Sequence, residues 1–236
     1  MKWSRNEINH LLPILEQLSS DLAPVEGKNI LVLCSGTGEV AFWLGEMMER
    51  GHVIGLELDP KALENARRSA HEMGLDQVVE FLPAEKQRIP MADSSFDALV
   101  SEFIVYPTST LTEIGQPEMA RVLKPGGKMV LTDVIVTKPL PGPMRQELAT
   151  IGLDYLCEGT PNDFRSWMAD AGLINIEVDD LTTTVRNAWE DRYTADIAAT
   201  HQIGYSYLLN DQQVGLGNSI FYIYVRGEKP EYQFPR

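Results

Sequence analysis

The sequence predicts an α/β protein built on a doubly wound, parallel sheet, and three observations carry that reading. The aliphatic run Asn29-Ile30-Leu31-Val32-Leu33 breaks at Cys34-Ser35-Gly36-Thr37-Gly38 and gives way to a helical stretch, Glu39 to Arg50. Further short β-favouring runs alternate with helical ones at the spacing of βαβ units. Acidic residues also collect where those runs stop, at Glu57, Glu85, Glu102 and Asp133. In a doubly wound sheet ligands sit outside the carboxyl ends of the strands, so the strand ends are the first place to look for chemistry.

Taken in order, residues 1–28 read as an amphipathic lead-in. Ser4 and Glu7 suit a capping box, and Ile8, Leu11, Leu12, Leu15 and Leu18 keep helical spacing, with Pro13 set to kink or split the helix. Such a helix either packs on the edge of the domain or forms a lid over the ligand mouth. Residues 51–58 read as a second strand, and Asp59-Pro60 starts a helix that runs to Met73 and stops at Gly74. A third strand is expected near Val78 to Leu82 and a fourth from Phe96 to Ser101, ending at Glu102-Phe103. Pro107 to Leu123 holds a loop and a helix finishing at Lys124-Pro125-Gly126-Gly127, before a fifth strand from Lys128 to Val134. Past the prolines at 139, 141 and 143, Met144 to Leu156 reads as helical. Thr160-Pro161-Asn162-Asp163 opens a helix ending at Gly172. Ile174–Val178 and Ser219–Arg226 read as strands. The insert between them, 180–217, is too long for a hairpin loop and should carry structure of its own.

Composition bounds the function. The 236 residues are 44% hydrophobic and 23% charged, the profile of one globular α/β domain with a sizeable core. A net charge of -14, from 34 acidic against 20 basic residues, argues against nucleic acid or an anionic membrane as partner. Two distant cysteines, Cys34 and Cys157, support neither a disulfide framework nor a CxxC metal pattern, and a reducing, cytoplasmic setting is expected. Polar residues interrupt the apolar positions after Lys2 and Arg5, unlike a signal peptide, and no 18-residue apolar span occurs.

The glycine loop alone leaves the ligand open. Gly36-x-Gly38-x-x-Ala41, with Glu57 about twenty residues on, fits the dinucleotide pattern and hence an NAD-dependent oxidoreductase. Five pieces in order are more specific: Leu33 to Gly38; Gly55-Leu56-Glu57-Leu58-Asp59; Pro83-Ala84-Glu85; Ile89-Pro90 with Ser95-Phe96-Asp97; and Arg121 to Gly127. Together they make the chain resemble the class I S-adenosylmethionine-dependent methyltransferases, in the small-molecule branch. The resemblance implies a Rossmann-like sheet of seven strands with the last antiparallel, in a methyltransferase domain over 29–236 whose insert covers the substrate. It implies S-adenosyl-L-methionine as cofactor, held by Cys34, Ser35, Gly36, Thr37 and Gly38. Glu57 would accept from both ribose hydroxyls, as a carboxylate's two oxygens can. Leu58 would pack on the adenine, Ala84 and Glu85 would meet its edge, and Ser101 and Glu102 would border the methionine part. Two positions depart from the family: Val32 stands where an acidic residue is usual, and Cys34 where glycine is. Glu39 or a residue of the lid would have to replace the missing carboxylate, and Cys34 reads as a small packing residue.

Methyl transfer from a sulfonium needs alignment more than acid–base help, and a base only for an acceptor protonated at neutral pH. Glu102, Asp133 and His201 are the candidate bases. Glu102 is best placed, and Tyr106 in the segment after it is the second candidate catalytic residue. Phe103, Tyr106, Tyr155, Trp189, Tyr193, Tyr205 and Tyr207 are the aromatic candidates for a small-molecule acceptor pocket. Such a pocket would suit an ammonium group by cation–π contact, or a quinone or phenol. The layout of 154–181 is similar to the arsenite methyltransferase branch, but two cysteines are too few for a soft metalloid. A cofactor-binding protein without turnover and the oxidoreductase remain alternatives; oligomeric state is open, and no metal site is evident.

Overall fold

A computed structural model describes residues 12–33, 38–85, 87–102, 114–151, 153, 156–195 and 202–231; for residues 102, 188, 189, 191–195 and 202 only the backbone is described. In chain order the elements are α1 (Leu12–Leu22), β1 (Asn29–Leu33), α2 (Glu39–Gly45), β2 (His52–Glu57), α3 (Pro60–Met73), β3 (Val79–Pro83), β4 (Phe96–Glu102), α4 (Gln116–Val122), β5 (Leu123–Val136), α5 (Gly142–Ala149), β6 (Cys157–Glu158), α6 (Pro161–Asp170), β7 (Ile174–Asp180), α7 (Thr182–Ala195), α8 (Gln202–Asn210) and β8 (Ile220–Glu228).

Seven strands form the path β3-β2-β1-β4-β5-β8-β7, and the two-residue β6 adds an eighth by pairing with β5. Only β8 runs against the others, antiparallel to β5 from Lys128↔Glu228 to Val136↔Ile220 and antiparallel to β7. Both faces are covered, which is why the central strands read as unbroken apolar runs. On one face Leu15, Leu18 and Leu22 of α1, Phe42 and Leu44 of α2, and Leu63, Ala66 and Ala70 of α3 pack on Ile30, Val32, Val53, Val100 and Val130. On the other, Met119 and Ala120 of α4 with Phe164 and Met168 of α6 pack on Leu31, Leu33, Leu99 and Leu131. Neighbouring residues of one strand thus serve opposite layers, as the two-residue strand period requires.

Elements with strong end signals lie where the residues place them. Asp59 caps α3 by accepting from the Lys61 N–H at 3.0 Å, and Gly74 ends it in the left-handed region at φ +69°. Thr160 and Asp163 form a reciprocal capping box on α6. Elements without such signals are shorter than expected. Rather than reaching Arg50, α2 ends at Gly45, where any Cβ would stand 2.4 Å from Val79 Cγ2. The chain then turns through i+3 bonds, with Glu26 accepting the Glu49 N–H. The helix expected to finish in Lys124–Gly127 ends at Val122, and that tetrapeptide enters β5 as an irregular edge. Lys124 turns to bind Asp97 at 2.8 and 2.9 Å, and Gly126 donates to the Lys229 carbonyl. Burial pushes the Asp97 carboxyl up, but the Lys124 ammonium and the Asn29 N–H more than offset it and hold it below the usual carboxylate value. α5 stops at Ala149, well before Leu156, and the Leu153 N–H closes the turn onto Leu148.

Ser4, Glu7, Ile8 and Leu11 lie outside the described residues. Pro13 is the second described residue of α1 and introduces no break in Leu12–Leu22. The insert carries α7 and α8, as its length requires. α8 lies so close to α5 that a Cβ on Gly204 would stand 2.4 Å from the Glu147 carbonyl oxygen. No helix among the described residues is long and apolar enough to cross a membrane.

Candidate active site

The parallel strands finish in register. Leu82, Leu56, Leu33, Ser101 and Leu131 form one row across β3, β2, β1, β4 and β5. One residue further, Glu57 pairs with Pro83 and Glu102 with Thr132. Glu57 and Glu102 therefore stand level on either side of the end of β1, two strand spacings or about 10 Å apart along the sheet. Cys34, Ser35, Gly36 and Thr37 lie outside the described residues.

Glu57 is 9% exposed, and its Oε1 accepts the Asp59 N–H at 2.9 Å, so the turn into α3 folds back over the carboxylate. Its carbonyl accepts the Ala84 N–H at 2.8 Å, which ties the end of β3 to the tip of β2. Leu58, the next residue, is 44% exposed, an apolar side chain held in solvent beside a buried acid. Ala84 is half-buried and Glu85 exposed. Below them Gly38 opens α2 at φ +100°, and a Cβ there would meet Phe42 and Phe81 at 2.7 and 2.8 Å. Those rings are packed edge to face, 5.3 Å between centroids, so only glycine fits where the loop leaves the strand tips.

Ser101 is wholly buried in the row below Glu102, whose side chain lies outside the described set. Tyr106 lies outside it as well, as do Phe103, Tyr155, His201 and the side chains of Trp189 and Tyr193. Tyr205 is described and buried in the layer that joins α8 to the sheet, while Tyr207 packs against that layer. Asp133 is also buried, with Oδ1 accepting the Val134 N–H at 2.7 Å. Val32 sits in the core, 1% exposed, so the side chain there is a packing group. Buried polar groups that the sequence did not single out include Gln116 and Thr132. Among the described residues the Gln116 amide is wholly enclosed with no hydrogen-bond partner for either atom, and the Thr132 hydroxyl, level with Glu102, is likewise enclosed without one. The one signal for Gln116 was its place three and four residues before Met119 and Ala120, on the apolar stripe of α4. Among the described residues no group of three His, Cys, Asp or Glu is arranged to hold a metal.

A buried carboxylate acceptor, an exposed apolar side chain beside it and a glycine-only exit at the sheet's carboxyl end fit a nucleoside-bearing cofactor. These features define a doubly wound, nucleoside-binding class of domain. A family model described as a methyltransferase domain matches residues 24–185. The chain belongs to that family, within the class I S-adenosylmethionine-dependent methyltransferases. It is 27% identical over 171 residues to an arsenite methyltransferase of Halobacterium salinarum, covering 71% of this chain and 43% of that one. It is 33% identical over 133 residues to a demethylmenaquinone methyltransferase of Thermus thermophilus, covering 56% and 54%. The matches thus span about half the length of these curated relatives. A solved geranyl diphosphate C-methyltransferase of Streptomyces coelicolor shares the fold, with TM-score 0.72 at 17% identity over 97% of this chain and 85% of that one.

Proposed function

We propose that this chain transfers a methyl group from S-adenosyl-L-methionine to a small-molecule acceptor by in-line displacement. The observation that carries the reading is Glu57, nine-tenths buried at the tip of β2 with Leu58 exposed beside it. Bound there, the cofactor supplies a methyl already activated by a cationic sulfur. The loop Cys34–Gly38 holds its amino-acid part, Glu57 accepts from the ribose diol, Leu58 packs on the adenine, and Ala84 with Glu85 meets the adenine edge. Ser101 and Glu102 border the methionine part. The residues 1–28, α5 and the 180–217 insert cover the acceptor, with Glu102 and Tyr106 orienting it. Alignment by itself is worth roughly 7–11 kcal/mol in the best intramolecular cases, so a base serves only an acceptor that carries a proton at neutral pH.

The relatives named above are methyltransferases for arsenite, demethylmenaquinone and geranyl diphosphate, which supports a small acceptor without choosing its chemistry. Arsenite suits this chain poorly: Cys157 is buried and Cys34 lies in the cofactor loop, leaving no thiolate set for a metalloid. The acidic surface supports neither nucleic acid nor an anionic membrane as partner, and we assign the chain to a reducing cytoplasm.

Calorimetric titration with S-adenosylmethionine, S-adenosylhomocysteine and NAD tests the reading, with Glu57→Gln and Glu57→Ala alongside. The first two should bind and NAD should not, and both variants should weaken binding by about tenfold or more, the loss of a charge-assisted pair. Binding of NAD alone would hand the fold to an oxidoreductase. The apolar Val32 favours one further reading, a cofactor-binding protein without turnover. Transfer of labelled methyl to any acceptor in a small-molecule screen excludes it.

A further inference from the structure

We infer that a cleft at the outer end of β5 is an oxyanion subsite for the far end of the acceptor, binding a carboxylate or phosphoryl group remote from the methylated atom. The inference rests on the methyltransferase reading and adds a substrate class to it. The cleft measures about 520 Å³, within the range of small-molecule sites, and lies between the segment leaving β5 and the turn from α8 into β8. Leu140 and Ser219 form its buried floor. Lys138, Gln212, Gln213 and Asn218 line its rim, with Pro139 and Pro141 stiffening one wall. The Thr137 N–H donates to the Ser219 carbonyl at 2.9 Å and fixes the two walls together.

Among the described residues one cavity opens at the amino ends of the strands, beside Lys128 and Glu228, and another flanks the edge strand β3. The Lys138 cleft opens just past the carboxyl end of β5, the end where ligands sit in this fold. The cofactor residues occupy the tips of β2, β1 and β4, which leaves the β5–β8 side to the acceptor. Thr132 is level with Glu102 at the tip of β4, and Lys138 lies six residues further along the chain, so at about 3.3 Å per residue the cleft lies roughly 15–20 Å beyond that tip. An extended small molecule spans that distance.

Acids outnumber cations 34 to 20 in this chain, and the cations lining the other cavities are committed. Arg226 binds Asp179 and Glu177, Lys128 donates to the Asp21 carbonyl, and Arg67 donates to the Phe81 carbonyl. Lys138 has no intramolecular partner among the described residues, and no carboxylate lines its cleft. The nearest acid in sequence to the opposite rim, Asp211, has its Oδ1 occupied by the N–H groups of Gln213 and Val214 at 2.8 and 2.9 Å. An ammonium that shares its cleft with three carboxamides, and with no acid among the lining residues, offers donors to an anion.

The test is calorimetric titration of the full chain with pyrophosphate, inorganic phosphate and acetate, with S-adenosylhomocysteine titrated into the same preparation. Saturable binding of a phosphoryl anion or of acetate is expected, and which of them binds assigns the group. Lys138→Met should weaken it by about tenfold or more, while Lys61→Met, on the exposed side of α3, leaves it unchanged. Binding of none of the three anions, or equal binding to Lys138→Met, overturns the subsite. If S-adenosylhomocysteine binds in that case, the transferase reading stands without it. Anion binding without S-adenosylhomocysteine binding upholds the anion site and overturns the transferase reading.

Discussion

On the proposed reading Glu57 does two jobs with one carboxylate, and different substitutions separate them. Its Oε1 closes the turn onto the Asp59 N–H, so Glu57→Ala strips a backbone donor of its partner at a cost of about 1–3 kcal/mol. Glu57→Gln keeps an acceptor oxygen there but loses the charge. Thermal unfolding should therefore separate the two variants, Ala falling and Gln staying near the parent, while both lose cofactor affinity. A common drop in stability would make Glu57 a structural residue first. Gln116 presents the opposite case, a buried amide with no hydrogen-bond partner among the described residues. Gln116→Met preserves volume and removes the desolvated groups, so it should raise stability by about 1–3 kcal/mol in denaturant unfolding. A lower midpoint would show that the amide has a partner in solution. The places of Glu57 and Glu102 at the ends of β2 and β4 were legible because each closes an aliphatic run. Gln116 was not, since a glutamine ahead of a short helix reads as surface until the fold encloses it.

Among the elements, α4 is held by a hub. Arg121 donates to both oxygens of Glu118, to Asp93, and to the carbonyls of Ile89 and Met91. The guanidinium holds the Glu118 carboxyl below its ordinary value of 4.5, an effect that burial only partly opposes and the Ile89 N–H reinforces. A folded-state value below the unfolded one means the stabilisation is complete above pH 4.5 and is lost as pH falls through the folded value. In urea midpoints measured from pH 7 to pH 3, Glu118→Gln should start lower and fall less steeply than the parent. Parallel curves would remove this pair from the acid response. The contact of α5 with α8 rests on Gly204, and Gly204→Ala would drive a methyl into the Glu147 carbonyl at a cost of about 1–3 kcal/mol. If these helices cover the acceptor, that variant loses turnover while S-adenosylhomocysteine affinity holds; a matched loss of both would place α8 against the cofactor instead. Helix ends were readable wherever a capping side chain, proline or glycine marked them, as at Asp59, Gly74 and Thr160. At α2 and α5 the periodicity ran on past the true ends, because packing against Val79 and the turn onto Leu148 stop those helices and neither is a local signal.

For the whole molecule, a net charge of -14 sets a background repulsion that folding must overcome. Raising sodium chloride from about 0.02 M to 0.5 M shortens the Debye length well below 10 Å and should raise the melting temperature. A fall would mean that the ion pairs around Arg121 and Arg226 outweigh the excess of acid. The doubly wound order was legible as a whole because each βαβ unit announces itself over some thirty residues. Pairings distant in sequence were less so: nothing in Cys157-Glu158 marks a strand, and its pairing with Ile135 and Val136 exists only once the sheet is assembled. The position of β8 has a consequence for the making of the chain. Since β8 lies between β5 and β7, β7 has no neighbour in the sheet until the residues up to 228 have been synthesised. At about 5–20 residues per second, some forty residues of α7, α8 and their connections delay that arrival by several seconds. Throughout that interval the backbone edge of β5 that pairs with β8 lies open on the nascent chain, an unpaired strand edge of the kind that templates wrong pairings.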